Sequence, residues 1–369
     1  MKITCSKSNL LNGVQIVYKA VPSKTTMSIL ECILINASTD SIKLTANDME
    51  LGIETVIEGT ILEKGIIALD AKILFEIVRK LPDNNVTIET DNNLKTTIKC
   101  EKANFSIIGK SGDDFSYLPE LEKNEPLLIS QFTLKEVVRQ TIFSIADNDN
   151  NKLMTGELFE INDNILKVVS LDGHRISIRK IELKNNYENK KIVVPGKTLN
   201  EVSKILSGDT DKDISIYFTD KHIIFEFDST VVVSRLIEGE YFKIDQMLSN
   251  DYETKLQINK KEFLDCIDRA TLLVKEGDKK PIIISISDTI MELKINSTVG
   301  SMNEEIDIEK TGKDLMIGFN PKFLIDALRV IDDESITLYM VNPKAPCFIK
   351  NDQESFIYLI LPVNFNTVN

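Results

Sequence analysis

Hydrophobic and polar positions repeat along this chain at an interval of 125 residues. Residues 69–81, 194–206 and 319–331 align without a gap, and each segment follows a short apolar run and opens with a residue type that starts helices. Each copy therefore predicts a strand that enters a helix. The matched columns hold Lys72, Lys197 and Lys322; Leu74, Leu199 and Leu324; Glu76, Glu201 and Asp326; and Arg79, Lys204 and Arg329.

Alternating segments after each helix predict strands, and a fainter copy of the same order fills the first half of each unit. The chain thus consists of six helix-plus-strands modules, which pair into three domains with polar joints at 120–125 and 249–254. We expect an α+β fold of three tandem two-layer domains, with helices on one face of antiparallel sheets. The predicted domains are 1–122, 126–250 and 254–369, and the predicted helices are 7–21, 70–81, 133–146, 196–206, 259–275 and 320–331.

Length and composition agree with this organisation. A chain of 369 residues, 42% hydrophobic and 27% charged, is typical of a globular protein, and its length fits three domains best. No apolar run approaches the roughly 20 residues of a membrane span, and the start of the chain lacks the apolar stretch of a signal peptide, so we expect a cytoplasmic protein. Five widely spaced cysteines without a CxxC pair argue against disulfides or a zinc site and predict buried thiols.

The charge is distributed unevenly between the predicted helices and the remainder of the chain. A net charge of −13 excludes a protein-wide basic surface for gripping nucleic acid. The six predicted helices nevertheless carry +1 or +2 each and +7 together, which leaves −20 for the remainder. If the repeats close into a ring with the helices inside, the lumen is weakly positive and suits a phosphate backbone threaded through it.

Helix packing sets the size of such a ring. Six helices packed roughly 8–10 Å apart leave a hole of about 8 Å, which is too small for duplex DNA. Twelve helices leave a hole of roughly 25–30 Å, which admits a duplex with water around it. A ring around duplex DNA therefore requires two chains.

Motifs for catalysis are scarce. The chain has only two histidines, no GxSxG or HExxH, and Asn104 where the phosphate loop suggested by Gly109-Lys110-Ser111 needs its first glycine. Asp172-Gly173-His174-Arg175 is a turn signal found only in the middle unit, and it fits a plain hairpin turn or a site placed on one copy. Two rival functions are an enzyme in which Asp172 orients His174 as a general base, and a DNA-free β-rich scaffold, which leaves the positive helices unexplained.

With these residues in view, the whole chain resembles the bacterial DNA polymerase III beta subunits, the sliding clamps that act as processivity factors. The resemblance rests on the threefold unit, Asp172-Gly173-His174-Arg175, Arg235-Leu236-Ile237-Glu238-Gly239 before the second joint, and Leu361-Pro362-Val363. It implies a head-to-tail homodimeric ring that a clamp loader places on duplex DNA and that tethers the replicative polymerase and repair factors. It also implies a nucleoid-associated replication factor that is not an enzyme and has no cofactor.

The resemblance further implies a pocket for short, Gln-led peptides with Leu and Phe anchors. Apolar side chains would supply the pocket, Gly173 would let a backbone come close, and His174 or Arg175 would hold polar groups. The chain departs from the family pattern at Phe242 and Asp245-Gln246, where proline and paired arginines are common, and Asn366–Asn369 extend past the usual end. Carried over by position, the pocket residues are Met154, Leu171, Gly173, His174, Arg175, Ile176, Phe242, Gln246, Met247, Leu359, Leu361, Pro362 and Val363.

The helix pattern and the resemblance together predict two further surfaces, one that faces DNA and one at the seam of the ring. In the resemblance, Lys24 and the loop 148–152 match positions that the family uses toward DNA. The expected DNA-facing residues are Lys24, Lys72, Arg79, Lys80, Arg139, Lys152, Lys197, Lys204, Lys322 and Arg329. An edge strand that ends a domain exposes unpaired backbone groups, which a second chain can satisfy. The expected ring seam comprises Phe105, Ile107, Leu272, Leu273, Glu304 and Glu305, with the two glutamates facing Lys99 and Lys102.

Overall fold

A computed structural model of the chain describes residues 1–147, 151–274 and 280–365. In this part of the chain there are six α-helices, as the repeat pattern predicts. The first and third α-helices end earlier than expected, because the last residues of each predicted helix form a short 3₁₀ turn instead. These turns are Tyr18–Ala20 and Ile142–Ser144. The helices are α1 (Lys7–Val17), α2 (Ala71–Lys80), α3 (Gln131–Thr141), α4 (Gly196–Ile205), α5 (Lys260–Thr271) and α6 (Pro321–Val330). Residue 275, the predicted end of the fifth helix, lies outside the described residues.

Side-chain oxygens cap several of these helices at their first turn. An oxygen there accepts a hydrogen bond from a backbone N–H that has no partner within the helix. Apolar residues one turn apart, such as Leu10 and Val14 in α1, are buried on the opposite side from the polar residues. The capping residues and the backbone donors are Ser6 with Asn9 (3.1 Å), Asp70 with Ile73 (2.8 Å), Asn259 with Glu262 (3.1 Å) and Asn320 with Lys322 (3.0 Å).

Four antiparallel sheets account for the strands of the described residues. In the first repeat the strands are β1 (Lys2–Ser6), β2 (Cys32–Asn36), β3 (Ile42–Asn47), β4 (Leu51–Ile57), β5 (Thr60–Glu63), β6 (Ile66–Asp70), β7 (Asn85–Thr90), β8 (Lys95–Cys100) and β9 (Ala103–Ile108). In the second they are β10 (Leu127–Ser130), β11 (Gly156–Leu171), β12 (Arg175–Pro195), β13 (Asp213–Phe218), β14 (His222–Phe227) and β15 (Thr230–Arg235). In the third they are β16 (Thr254–Asn259), β17 (Ile282–Ser287), β18 (Ile290–Asn296), β19 (Ser301–Asp307), β20 (Glu309–Gly312), β21 (Leu315–Phe319), β22 (Ser335–Met340), β23 (Cys347–Lys350) and β24 (Phe356–Ile360).

Two of the sheets continue across the borders between repeats. The eight-stranded sheet has the order β10-β13-β14-β15-β4-β3-β2-β6, and the seven-stranded sheet has the order β11-β12-β24-β23-β22-β16-β20. Residues 1–132 and 201–236 consequently form one compact unit, and residues 133–200 and 237–369 form the other. The middle repeat is thus divided between two units, because pairing β15 with β4 and β12 with β24 satisfies backbone groups that a repeat alone would leave at a sheet edge. The consecutive domain limits expected from the sequence stay a prediction.

The hairpin β11–β12 is longer than the sequence indicates. The alternating segments 158–161, 166–170 and 176–181 predict separate strands, whereas β11 and β12 are each one continuous strand and pair from Gly156↔Pro195 to Leu171↔Ile176. The polar stretch 182–191 breaks the apolar alternation because most of its side chains are exposed. Its backbone is still part of β12, but it pairs with β11 only at Glu182, Tyr187, Lys190 and Lys191, and the register shifts between these pairs. This hairpin carries at its tip the turn singled out above.

Apolar side chains between the helices and the sheets form the core. The residues are mainly Ile, Leu and Val, and all five cysteines are buried with free thiols, as expected. Burial raises the pKa of the Cys5 thiol to about 11. No helix in the described ranges is both long enough and apolar enough to cross a membrane.

Candidate functional site

The turn between β11 and β12 is held by the side chain of Asp172. Its Oδ1 atom accepts hydrogen bonds from the backbone N–H groups of His174 (3.0 Å) and Arg175 (3.1 Å). Gly173 has φ +82°, in the left-handed region that favours glycine, and a Cβ added there would meet nothing within 4 Å. The backbone at Gly173 is therefore open to an approaching chain.

Arg175 anchors this turn to the fold. Its Nε donates to Asp172 Oδ2 (3.0 Å), Nη1 donates to Asp326 Oδ2 (2.6 Å), and Nη2 donates to the Phe143 carbonyl. The guanidinium also lies over the Phe323 ring, 4.5 Å from its centroid. The buried guanidinium is thus engaged by the protein's own groups and supports the turn, and the expectation that Arg175 also holds polar groups of a peptide stays a prediction.

The same contacts decide the role of His174. One carboxylate oxygen of Asp172 accepts hydrogen bonds from backbone N–H groups, and the other accepts one from the Arg175 side chain. None of these bonds involves the His174 ring. The ring is exposed and lies 6.0 Å from the Phe323 ring, centroid to centroid. The geometry that a His174–Asp172 acid–base pair requires is therefore not formed, whereas the exposed ring is available to a ligand.

Beneath the turn, strands β11, β12 and β24 share one apolar cluster. The tail after β24 is fixed beside the turn, since Leu361 N donates to the His174 carbonyl (2.8 Å) and Val363 N to the Gly318 carbonyl (2.8 Å). Pro362 lies half-buried between them. Six of the expected pocket residues belong to or pack on this cluster: Met154, Leu171, Ile176, Phe242, Leu359 and Leu361. The structure therefore brings the turn, the apolar cluster and the tail together at one surface, which we call the groove at Gly173.

Beside this groove lies a short 3₁₀ turn, Ile244–Met247, which carries two of the departures from the family pattern, Asp245 and Gln246. Gln246 and Met247 are exposed on it. Asp245 Oδ1 accepts a hydrogen bond from Lys167 Nζ (2.9 Å), and this bond holds the pKa of the Asp245 carboxyl below its ordinary value. The unusual aspartate thus fixes the turn to β11.

Sequence reasoning did not identify two groups that build the groove. Asp326, on α6, forms an ion pair with Arg175, although in the repeat alignment it is the counterpart of Glu76 and Glu201. Its shorter side chain in that column was the only signal. Phe143 contributes its carbonyl and its ring to the same guanidinium, and nothing in its local sequence distinguishes it.

The cations expected to face DNA lie on the surface of the described helices and loops. Lys72, Lys197 and Lys322 are exposed at matched positions of α2, α4 and α6. In the other matched column of cations each one has an acidic partner: Arg79 with Glu76 (2.6 Å), Lys204 with Glu201 (2.7 Å) and Arg329 with Asp268 (3.3 Å). Lys24, Lys80 and Lys152 are exposed, and Arg139 pairs with Glu136 (2.6 Å) and Asp332 (3.2 Å). Residues 148–150 of the expected loop lie outside the described residues.

The residues expected at the seam lie on or beside two sheet edges. In the first unit β9 is an edge strand, where Phe105 is 40% exposed, Ile108 is 73% exposed and Ile107 is half-buried. In the second unit β19 is an edge strand that carries Glu304 and Glu305. Leu272, just after α5, is 81% exposed and Leu273 is half-buried. Arg269 pairs with Glu304, which lowers the pKa of that carboxyl, and Glu305 is exposed.

Comparison with known proteins assigns this repeated architecture to a class, the three-domain clamps. The models for the N-terminal, central and C-terminal domains of the DNA polymerase III beta subunit match residues 1–119, 128–243 and 245–364, respectively. The chain belongs to the DNA polymerase III beta subunit family. The expected α+β clamp fold is confirmed.

Individual relatives cover nearly the whole chain. The beta sliding clamp of Staphylococcus epidermidis is 33% identical over 376 residues, which span 98% of this chain and 99% of that protein. A crystal structure from Eubacterium rectale assigned as a DNA polymerase III beta subunit is 75% identical, with a TM-score of 0.96 over 99% of this chain and 100% of the other. The DNA polymerase sliding clamp of Bacillus subtilis is 33% identical, with a TM-score of 0.95 over the same shares.

Proposed function

We propose that this protein is a DNA sliding clamp: two copies close head to tail around duplex DNA and tether the replicative polymerase and other factors. The observation that carries the proposal is the repetition of exposed cations at matched positions of α2, α4 and α6 in a chain whose net charge is −13. A non-specific phosphate contact needs such cations, and their small number suits a protein retained on DNA by topology rather than by affinity. The clamp acts on chromosomal DNA in the cytoplasm without catalysis or a cofactor.

The seam of the ring is proposed to join β9 of one chain to β19 of the other. Both are edge strands with unpaired backbone groups, and Phe105, Ile108 and Leu272 expose apolar side chains on or beside them. Pairing two edges across chains would satisfy those groups and cover that surface. Lys99 and Lys102, next to β9, would face the acidic side chain of Glu305.

The groove at Gly173 is proposed to bind a short, Gln-led peptide of each partner. Its apolar cluster would take the Leu and Phe anchors, the open backbone at Gly173 would lie against the peptide chain, and His174 would contact polar groups. A short anchored peptide buries roughly 300–500 Å² of apolar surface, which at about 25 cal/mol per Å² and after ordering costs corresponds to micromolar affinity. Such binding permits partners to exchange.

Retention on circular DNA tests the clamp function. The protein is loaded by a clamp loader onto nicked circular DNA, and its dissociation is followed before and after the circle is cut. We expect long residence on the circle and rapid loss from the cut DNA. Reversing Arg79, Lys204 and Arg329 to glutamate should shorten residence on the circle, whereas the same change at the exposed control lysines Lys64, Lys95 and Lys313 should not. Equal retention on circular and linear DNA would contradict the proposal.

Calorimetric titration with acetyl-Gln-Leu-Asp-Leu-Phe tests the groove. Deleting residues 361–369 removes the tail that bonds to the His174 carbonyl, so we expect binding to be lost while the dimer persists. Deleting only residues 366–369 is the matched control and should leave the affinity unchanged. Undiminished affinity in the longer deletion would show that the peptide binds elsewhere.

A further inference from the structure

The first compact unit has a second groove, at the turn between β3 and β4. It has a volume of about 270 Å³ and is open to the surface. The lining combines apolar side chains with a cation and an imidazole, and includes Met49, Tyr117, Leu118, Val233, His222 and Arg235. All of these residues belong to residues 1–132 and 201–236, so the groove is complete within one unit.

This second groove has the same hydrogen-bond frame as the groove at Gly173. Asp48 Oδ1 accepts from the N–H groups of Glu50 (3.0 Å) and Leu51 (2.7 Å), as Asp172 Oδ1 does from the corresponding residues of its turn. Arg235 N donates to the Glu50 carbonyl (2.9 Å), and this bond corresponds to the one from Leu361 N to the His174 carbonyl (2.8 Å). Both grooves therefore present a turn, a sheet strand and the chain segment that follows it in the same arrangement.

The two grooves differ at the position of Gly173, where the second groove has Met49. Met49 has φ +76°, in the left-handed region that side chains other than glycine rarely adopt. Its side chain is nevertheless 49% exposed at the groove, where packing does not explain the residue type. A flexible, polarizable methionine suits an adaptable binding surface, and a strained backbone that persists at such a place points to a function.

The polar side of the second groove carries one positive charge, that of Arg235. Arg235 is exposed, and its guanidinium makes no ion pair with any residue in the described part of the chain. Burial and the charge of Arg235 lower the pKa of His222, so the imidazole beside it is neutral near pH 7. Glu50 is the carboxylate in the lining that competes with a ligand for this cation. A free guanidinium next to exposed apolar side chains suits a ligand that joins an apolar group to a carboxylate.

We propose that this second groove binds a short peptide segment of a partner protein, with an apolar side chain against Met49 and Tyr117 and a carboxylate on Arg235. The inference rests on the proposed function, because the groove at Gly173 is the template for the binding mode. A clamp chain would then present two peptide grooves of different preference. The first lacks a free arginine at its turn, since Arg175 is engaged by Asp172 and Asp326.

Methionine methyl resonances can report on the two grooves separately. The full-length protein is labelled with [¹³C-methyl]methionine, Met49 is assigned by Met49→Leu, and acetyl-Gln-Leu-Asp-Leu-Phe is titrated. We expect a saturable shift of the Met49 methyl signal. Arg235→Gln, or a peptide amidated at its C-terminus with Asn in place of Asp, should weaken that binding by about tenfold, as expected for loss of a charge-assisted hydrogen bond. Glu50→Gln should strengthen it.

Met154 and Met247 serve as the control, because both belong to the first groove and should shift equally in the wild type and in Arg235→Gln. Met49→Gly adds a second criterion: it should raise the melting temperature by relieving the backbone while it weakens binding, whereas a purely structural Met49 would leave binding unchanged. An unmoved Met49 signal beside shifting Met154 and Met247 signals would overturn this inference and leave the proposed peptide groove standing. The reverse pattern would support the inference and contradict the assignment of the first groove.

Discussion

Glu157 is a buried acid at the start of β11. Its carboxyl group is fully buried, and this burial raises the pKa of the group to about 8 against a smaller, opposing effect of the Thr141 side chain. The carboxyl group is therefore protonated in the folded chain at neutral pH, whereas the unfolded chain releases this proton near pH 4.5. Because the folded state binds the extra proton between these two values, stability is lost as the pH rises through that window.

We expect Glu157→Gln to remove this pH dependence. The free energy of unfolding of the wild type should fall relative to the variant by about 1.4 kcal/mol per pH unit between about 4.5 and 8, and the difference should level off above that range. Urea unfolding at pH 5, 6.5, 8 and 9 measures it. Glu188→Gln, at an exposed position on β12, is the control and should follow the wild type. Parallel curves for Glu157→Gln and wild type would show that Glu157 ionises normally.

The turn at Asp172 shows which features of the site the sequence alone predicts. Asp172-Gly173 predicted a hairpin turn because Asp accepts backbone hydrogen bonds and Gly adopts positive φ, and the structure has that turn. The role of Arg175 could not be predicted in the same way, since its partner Asp326 is 151 residues away. Sequence separation of this size leaves no local pattern, so the anchoring of the groove emerged only from the fold.

At the scale of elements, the same hairpin turn recurs in each repeat. Asp48, Asp172 and Ser297 each accept a hydrogen bond from a backbone N–H two residues later, although their neighbours differ in sequence. Helices were predictable because their 3.6-residue period and their caps are local. The pairing of β15 with β4 and of β12 with β24 was not, because strand alternation specifies a buried face but not the neighbouring strand.

The caps make a specific prediction about helix stability. Asp70→Ala removes the oxygen that accepts from Ile73 N at the start of α2, so the free energy of unfolding of the first unit should fall by about 1 kcal/mol. Asp70→Asn keeps an acceptor of the same shape and should cost only a few tenths of that. Urea unfolding followed by circular dichroism measures both variants. Equal losses in the two would mean that the carboxylate acts through its charge rather than as a cap.

At the scale of the whole molecule, the proposed seam predicts that the dimer can dissociate into single chains that stay folded. Leu272 is mostly exposed in the chain, so its removal should cost little folding stability, whereas a seam that covers it should weaken by several kcal/mol. Leu272→Ala with Leu273→Ala should therefore sediment as a folded monomer at micromolar concentration. Leu62→Ala, at another exposed apolar position, is the control and should remain dimeric. A dimer that survives the double change would place the seam elsewhere.

The ion pairs at Arg79, Lys204 and Arg329 bear on how such a ring would travel. Each of these cations already has a carboxylate partner in the chain. A phosphate that approaches exchanges one anion for another, so each contact gains little free energy and is given up as readily as it is formed. The potential along the duplex is consequently shallow, and we expect the speed of one-dimensional diffusion to be set by viscous drag on the ring and its cargo.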